Sequence, residues 1–390
     1  MLDILTLTTL YPNSVMPSHG IFVENRLRHL RAAADIENPV VAPVPWFPFR
    51  HPMFGEYARQ ARVPPHEVRH GVNISHPRYL MLPKVGMNRQ PHDLYRAFRR
   101  GADVLMKRGF RPDVLDVHYF YPDGVAAARL SQELGIPMTV TARGTDINLI
   151  PQYEAPRRMI VEAAGQAAHI ITVCEALRQA IIDLGVDGSK ITTMRNGVDL
   201  EAFRPVDRAA ARDRFGVSGR VIASVGHLIE RKGHNFVIEA LEQHPGITLL
   251  IAGDGPEEAA LKALAQRLGV DGRVHFLGRR PHDDLPHIYS AADAMVLASS
   301  REGWANVLLE SMACGTPVVA TDIWGTGEVV ATPDAGVLVG ERSGPAIADG
   351  LTRLFAALPE RAATRRYAEG FSWDDTTRAQ LALFRRLAGK

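Results

Sequence analysis

The most constraining feature of this 390-residue sequence is an alternation that runs its course twice. In the first series, Asp3–Thr9, Pro39–Val44, Val114–Tyr119, Pro137–Ala142, His169–Val173 and Ile191–Arg195 are short runs rich in β-branched and apolar residues. Phe22–Ala34, Gly124–Leu134, Pro156–Ala167 and Glu175–Leu184 lie among them with apolar residues at helical spacing. The pattern then restarts with strands at Val221–Val225, Thr248–Ala252, Val274–Leu277, Ala294–Ala298 and Pro317–Ala320, and helices at His234–Gln243, Glu257–Leu268, Asp284–Ala291 and Trp304–Ala313. Strands separated by helices pair in parallel, with both faces of the sheet covered. Two such series exceed the ~250 residues of an eight-stranded barrel, so the sequence predicts two doubly wound α/β domains. The junction is expected in Asn196–Arg220, where Asn196-Gly197 signals a turn and Pro205 stops a helix. The boundaries drawn are 1–197 and 198–372, with a final amphipathic helix in 373–390, opened by Phe371-Ser372-Trp373-Asp374, returning to the first domain. Pro45–Pro65, with five prolines and several aromatics, reads as a long ordered loop.

Composition narrows the class. A hydrophobic fraction of 46% and a charged fraction of 23% exclude a disordered, collagenous or coiled-coil chain. No run of ~18 apolar residues is long enough to span a membrane, and Met1–Leu10, carrying Asp3, reads as a first strand rather than a signal peptide. Cys174 and Cys314 have no metal-ligand spacing and are expected as reduced core thiols of a cytoplasmic protein. Charge is locally sharp in Lys84–Arg111, where eight Lys and Arg face only Asp93 and Asp103. Leu94, Phe98 and Leu105 recur there at near-helical spacing. Two readings are open: a basic amphipathic helix resting on anionic lipid, or a solvated helix face with an ordinary apolar underside. Nucleic acid is not an expected partner, because no recognition module or interleaved aromatic series accompanies the charge.

In open parallel sheets ligands bind beyond the carboxyl ends of strands, so the residues following each strand are the candidates, and the cleft separating two such domains is the expected place. After Val221–Val225, Gly226-His227 leads to Arg231-Lys232-Gly233 before a helix; two cations and helix-start amides suit a diphosphate, or form a solvated turn. After Ala294–Ala298, Glu302 stands at the start of the expected helix and Glu310 follows within it. These carboxylates suit sugar and ribose hydroxyls, or else serve as a cap and a surface residue. Gly303 permits close backbone approach. Asp254 reads as a helix cap, and Phe276-Leu277-Gly278 offers backbone groups to a base edge or is a plain strand end. In the first series, Gly20 precedes a helix and its amide suits a phosphate, His118 ends a strand, and Arg143 and Asp146 follow the next strand as a charged rim or a local salt bridge. No Asp-x-Asp, phosphate-binding Gly-x-x-x-x-Gly-Lys-Ser/Thr loop, strand-linked Gly-x-Gly-x-x-Gly or Gly-x-Ser-x-Gly elbow occurs. No metal site is expected, and ATPase, dinucleotide oxidoreductase and serine hydrolase chemistry are disfavoured.

The order of these segments resembles the retaining glycosyltransferases of family 4, with the GT-B fold, over nearly the whole chain. The resemblance is carried by Arg195-Asn196-Gly197-Val198-Asp199, Val225-Gly226 through Lys232-Gly233, Ile251 through Pro256, Phe276-Leu277-Gly278, Ala291-Ala292-Asp293 and, most strongly, Glu302 through Ala320 with its two spaced glutamates. Ser18 through Val23, and His118 with Tyr121-Pro122-Asp123-Gly124, resemble a subgroup that includes teichuronic-acid biosynthesis enzymes.

The resemblance implies acceptor binding in the first domain and donor binding in the second. Lys232 and Arg231 would hold the diphosphate of a UDP- or GDP-sugar, Glu310 the ribose, and Glu302 with Gly303, Trp304, Ala305, Asn306 and Val307 the transferred sugar. Leu277 would face the base, Gly20 would cap the phosphates, and His118 would hydrogen-bond the sugar; His118, Lys232 and Glu302 are the implied catalytic set, with Arg143 and Asp146 on the acceptor side. The sequence departs from many relatives at His227, where they carry Arg; either Arg231 compensates or His227 contributes when protonated. No cofactor is implied beyond the nucleotide sugar. The acceptor would be a glycan or a lipid-linked molecule, with Lys84–Arg111 as a peripheral contact to an anionic membrane. A nucleotide-sugar 2-epimerase of the same fold, or a non-catalytic sugar-nucleotide-binding homologue, are the competing readings.

Overall fold

A computed structural model describes residues 1–81 and 86–390, so Lys84 lies outside the described residues. The chain divides into two compact units, Met1–Arg195 with Asp374–Lys390, and Asn196–Trp373.

The strands of the first unit are β1 (Leu2–Leu7), β2 (Ile36–Glu37), β3 (Val40–Val41), β4 (Val44–Pro45), β5 (His66–Arg69), β6 (Val72–Ser75), β7 (Arg78–Tyr79), β8 (Val114–His118), β9 (Met138–Ala142), β10 (His169–Thr172) and β11 (Ile191–Thr193). Its main sheet runs β11-β10-β9-β8-β1-β3-β6-β5, with β2 also paired to β1. All these pairings are parallel except β5–β6, an antiparallel hairpin at the edge; β4 and β7 form a separate parallel pair. The helices are α1 (Ile21–Ala33), α2 (Gly55–Ala61), α3 (Gln90–Lys107), α4 (Val125–Leu134), α5 (Thr145–Asn148), α6 (Glu154–Gln166) and α7 (Glu175–Asp183). Every residue of β8 and β9 is buried, alternate positions included, as strands covered on both faces must be.

The second unit contains β12 (Arg220–Val225), β13 (Ile247–Ala252), β14 (Val274–Gly278), β15 (Ala294–Leu297), β16 (Val318–Thr321) and β17 (Gly336–Val339) in one parallel sheet of order β14-β13-β12-β15-β16-β17. Its helices are α8 (Arg208–Phe215), α9 (His234–Ala240), α10 (Glu258–Arg267), α11 (Leu285–Ala291), α12 (Asn306–Ala313), α13 (Thr326–Val329), α14 (Gly344–Ala356) and α15 (Arg361–Glu369). Val237, Ile238, Leu261, Leu264, Ile347 and Leu351 from α9, α10 and α14 bury one face of this sheet on Ile222, Leu249, Ile251 and Val296. The last helix, α16 (Trp373–Ala388), returns the chain to the first unit, where Leu381, Leu383 and Phe384 join the core of Ile4, Leu27 and Val114.

Several expectations are corrected. Pro45–Pro65 is not all loop, because it holds a 3-10 turn at Pro52–Phe54 and α2. The stretch after Pro205 forms α8, fixed by local chemistry: the Asp207 carboxylate accepts from the amides of Ala209 and Ala210, and Gly216 closes it at φ +63°. The strand expected over Pro39–Val44 is split into the short β3 and β4. The basic helix is real, but Leu94, Ala97 and Phe98 are fully buried, and Gly101 lies so near Val41 that a Cβ there would meet its side chain at 2.5 Å. Its apolar underside is therefore core, as in the second of the two readings.

Candidate functional site

In each sheet the chain leaves its first strand outward and later resumes on that strand's other side. The reversal falls at β1/β8 in the first unit and at β12/β15 in the second. At such a switch point the loops leaving two adjacent strands diverge and open a crevice at their carboxyl ends. The sequence candidates concentrate at these two places.

In the second unit, β12 runs into Gly226 and a 3-10 turn at Glu230–Lys232, ended by Gly233. Gly233 has φ +68°, and a Cβ on it would sit 2.1 Å from the Ala298 carbonyl oxygen, so only glycine brings this turn against the end of β15. That approach joins residues 70 positions apart: Lys232 Nζ donates to Glu302 Oε1 at 2.6 Å. Ser299 Oγ donates to the same oxygen at 2.7 Å, and Arg231 Nη1 stands 3.4 Å from it while donating to the Arg301 carbonyl at 2.8 Å. Burial pushes the Glu302 carboxyl up, but the charges of Lys232 and Arg231 outweigh it and hold Glu302 below its ordinary value. Two cations and one carboxylate leave one net positive charge at the switch point.

Helix α12 begins at Asn306, not Trp304, so Glu302 lies in the loop ahead of it and caps nothing. Gly303, Trp304 and Ala305 are buried, Trp304 packing on Phe371 with ring centroids 6.1 Å apart. Asn306 Oδ1 accepts from Asn196 Nδ2 at 3.3 Å, and Val307 is half-buried. Glu310 lies on the second turn of α12. Its Oε2 accepts from the Tyr289 hydroxyl at 3.1 Å, and its Oε1 is 3.8 Å from His282 Nε2, a charge contact rather than a hydrogen bond. The Glu310 carboxylate raises the basicity of His282 against the opposing effect of burial.

Two candidates do not join this cluster. His227 is exposed, with Nδ1 3.9 Å from Asp254 Oδ1; Asp254 is itself exposed and caps no helix, since Glu257 occupies that position of α10. Leu277 is half-buried on β14, its carbonyl accepting from Arg280 Nε at 3.0 Å, while the Gly278 carbonyl accepts from the Gly253 amide at 2.9 Å. Each of these two carbonyls thus already accepts one hydrogen bond within the unit.

In the first unit, Gly20 starts α1 at φ +68°, where a Cβ would fall 2.3 Å from the Leu10 carbonyl group. The loop leaving β1 is tied to the segment after β8 by Asp123, whose carboxylate accepts from the Thr9 amide at 2.6 Å and the Thr9 hydroxyl at 3.0 Å. Burial pushes Asp123 up to about 8 despite those bonds. His118 is fully buried. Its Nδ1 accepts from the Arg143 guanidinium at 2.7 Å, which assigns the remaining ring proton to Nε2, 3.2 Å from Asp116 Oδ2. That second approach does not make a well-aligned hydrogen bond. Burial pushes His118 down to about 4, against the pull of Asp116, so the ring is neutral near pH 7. Burial also works against ionised Asp116, but His118 and the charges of Arg26 and Arg143 keep it below its ordinary value.

Arg143 and Asp146 do not form a solvent-facing rim: Arg143 is buried over the Phe22 ring, and Asp146 accepts from the amides of Phe120 and Gly144 at 2.7 Å and of Arg143 at 3.1 Å. Sequence reasoning missed Ser299, Tyr289, His282, Asp116 and Arg26. Two had a local signal: Ser299, a hydroxyl directly after a strand and three residues before Glu302, and Asp116, two residues before His118 and so on the same face of β8; the others reach their partners through tertiary packing.

Residues 208–371 match the family Glycosyl transferases group 1, and residues 53–202 match Glycosyltransferase Family 4. The D-inositol 3-phosphate glycosyltransferase of Mycobacterium bovis (strain BCG / Pasteur 1173P2) is 37% identical over 235 residues, 57% of this chain and 49% of that protein. The chain thus spans about half the length of the curated relatives it matches. Sucrose-phosphate synthase from Thermosynechococcus elongatus superposes with a TM-score of 0.81 at 20% identity, covering 99% of both chains. Anabaena Alr3699/HepE, in complex with UDP, does so with a TM-score of 0.73 at 21% identity, covering 98% of both. The fold is GT-B, and each of the two units carries a match to a glycosyltransferase family model.

Proposed function

We propose that this chain transfers a glycosyl group from a nucleoside-diphosphate sugar, with UDP or GDP as the nucleotide, to an acceptor hydroxyl, with retention at the anomeric carbon and without a metal. The observation that carries the reading is the convergence of Lys232, Arg231 and Ser299 on Glu302 at the β12/β15 switch point. Fixed cations there suit the charge that develops on a departing diphosphate. The UDP complex of HepE, a protein of the same fold, supports a nucleotide donor.

In this reading Lys232 and Arg231 meet the diphosphate and Glu310 takes the ribose hydroxyls, its orientation set by Tyr289 and His282. Glu302 and the Gly303–Val307 backbone address the sugar, Trp304 serving through packing, while Leu277 flanks the base and His227 stays at the margin of the donor. Gly20 lets the start of α1 approach the phosphates. His118 supplies a neutral Nε2–H to a sugar hydroxyl in competition with Asp116. Arg143 fixes that ring, and Asp146 anchors the backbone on the acceptor side.

The bond from the anomeric carbon to the β-phosphate oxygen breaks as the acceptor oxygen bonds that carbon from the same face. The acceptor proton passes to the departing phosphate oxygen, so glycosylated acceptor and nucleoside diphosphate are the products. Exclusion of water protects the donor from hydrolysis. A glycan or lipid-linked acceptor, within cell-surface polysaccharide or glycolipid synthesis on the cytoplasmic side of a membrane, fits the resemblance of the first unit. No helix among the described residues is long and apolar enough to cross a membrane.

The test is calorimetric titration with UDP, GDP and ADP in EDTA, followed by turnover of the sugar form of whichever binds. Binding and turnover in EDTA are expected; failure of all three nucleotides to bind, or loss of turnover on chelation, overturns the reading.

A further inference from the structure

The basic helix α3 offers charge, but Val104 is its one exposed large apolar residue, because its apolar side is core. A greasy surface does lie beside it. Of the ten large apolar side chains exposed among the described residues, six fall in residues 46–80: Trp46, Phe49, Met53, Tyr57 and Leu80, with Val68 on the β5 edge strand as the sixth. Singly exposed apolar residues are ordinary, but Phe49 and Tyr57 belong to one aromatic cluster, with Trp46 and Met53 next to its members Phe47 and Phe54 in sequence. Phe49 stacks on Phe54 with ring centroids 5.1 Å apart, and Phe47 touches Phe49, Phe54 and Tyr57 at 5.9, 5.5 and 5.3 Å. The Trp46 amide donates to the Tyr79 carbonyl at 2.7 Å, continuing the β4–β7 pair and placing Trp46 next to the chain entering Leu80. Exposure remains high despite this clustering, 55% for Phe49 and 77% for Met53.

Cations border the patch. Arg100 of α3 donates to the Arg78 carbonyl of β7 at 2.5 Å, and the Arg78 guanidinium donates to the Gln60 and Val63 carbonyls that end α2. The basic face of α3, the aromatic segment and α2 therefore meet along one margin of the first unit. Arg50, Arg96 and Arg100 there engage no carboxylate among the described residues. Aromatic and Met side chains ringed by unneutralised arginines match the boundary of an anionic bilayer, where rings sit at headgroup level and cations meet phosphates.

We propose that residues 46–57 form an interfacial anchor. Trp46, Phe49 and Met53 enter the headgroup–acyl boundary of an anionic membrane, and Arg50, Arg96 and Arg100 contact lipid phosphates. This anchor adds the apolar insert of residues 46–57 to cations of the Lys84–Arg111 contact expected from the sequence, and it stands whether or not the donor assignment holds.

The full chain is tested by co-sedimentation with vesicles of phosphatidylcholine alone or mixed equally with phosphatidylglycerol. Binding is expected only to the mixture. It should weaken more than about tenfold in the Phe49→Ser/Met53→Ser variant, and by roughly fivefold for each of Arg50→Gln and Arg100→Gln, with the thermal midpoint unchanged. Brominated acyl chains should quench the part of the fluorescence that Trp46→Phe removes. Absence of binding to the mixed vesicles, binding indifferent to the Phe49/Met53 change, or Trp46 emission unquenched by brominated lipid overturns the proposal. So does a wild-type dimer that ignores vesicles and falls to monomers in the double variant, since a second copy would then cover the patch.

Discussion

Replacing Lys232 by Ala tests the donor site at its most informative atom. Nζ lies 2.6 Å from Glu302 Oε1, and only 14% of the Lys232 side chain meets solvent. At an effective dielectric of ~20, suited to such partial cover, a unit charge ~4 Å from a developing phosphate charge is worth about 4 kcal/mol. Loss of a single preorganised donor to a developing oxyanion slows turnover by roughly 10²–10³-fold. Arg231, 3.4 Å from the same carboxylate oxygen, retains part of the field, so the expected loss is toward the lower end, near 10²-fold. Fold stability should move far less, because Glu302 keeps Ser299 and Arg231 as partners. A cost of about 1 kcal/mol corresponds to roughly 2–4 °C in the thermal midpoint for a domain of this size.

The assay is release of nucleoside diphosphate from the nucleotide sugar identified by calorimetry, run beside thermal unfolding. Lys232→Arg should recover part of the loss, since it restores charge with a different reach. Turnover within about threefold of the parent would refute the assignment, because that difference corresponds to under about 1 kcal/mol of transition-state stabilisation. A fall of more than about 10 °C in the midpoint would instead make the Lys232–Glu302 pair part of the scaffold.

Other perturbations reach the neighbouring parts. Gly233→Ala forces a Cβ to 2.1 Å from the Ala298 carbonyl at φ +68°, so urea unfolding should show a loss above about 2 kcal/mol, and an unchanged midpoint would contradict the close approach. Glu310→Gln removes the charge that raises His282, so its imidazole titration, followed by NMR, should move downward while nucleoside-diphosphate affinity falls about tenfold or more; a static titration would remove Glu310 as its cause. Asp123, at about 8 when folded, binds a proton that the unfolded chain has lost above its ordinary ~3.9, so it favours the fold at low pH and withdraws that support by about 1.4 kcal/mol per unit up to pH ~8. His118, at about 4, has the opposite sign from pH ~4 to ~6.5, where only the unfolded chain gains the proton. The two cancel over that window, leaving hydrogen exchange in the first unit to accelerate from pH ~6.5 to ~8, after the intrinsic pH dependence of exchange is removed, unless Asp123 is changed to Asn.

What the sequence made legible follows the range of the interactions involved. Most parallel strands of both sheets were readable, β17 excepted, because buried strands such as Val221–Val225, apolar but for Ser224, and Ala294–Leu297 are apolar runs bounded by turn residues. The β5–β6 hairpin was not: His66-Glu67-Val68-Arg69 is mostly polar, and its one large apolar residue, Val68, is exposed. Helix α2 was hidden by the prolines around it, and α14 and α15 carry amphipathic patterns that the strand–helix reading left unassigned. The start of α12 was set two residues early because the apolar Trp304 and Ala305 pack in the core without being helical.

The site divides along the same line. Lys232, Arg231 and Glu302 were each visible as charged residues after a strand, but their convergence depends on β12 lying beside β15, a neighbour relation set by the sheet order. Arg143 and Asp146 show the converse. As two opposite charges after a strand they read as a rim, yet burial makes each seek the partner that best offsets its desolvation. Asp146 takes three backbone amides, and Arg143 reaches the neutral His118 ring. A charge after a strand therefore marks the switch-point neighbourhood, while burial and partner decide whether it is free to meet a ligand. Glu302 passes that test where Asp146 does not: its bonded oxygen is Oε1, and Oε2 makes no hydrogen bond among the described residues, whereas both oxygens of Asp146 hold the main chain.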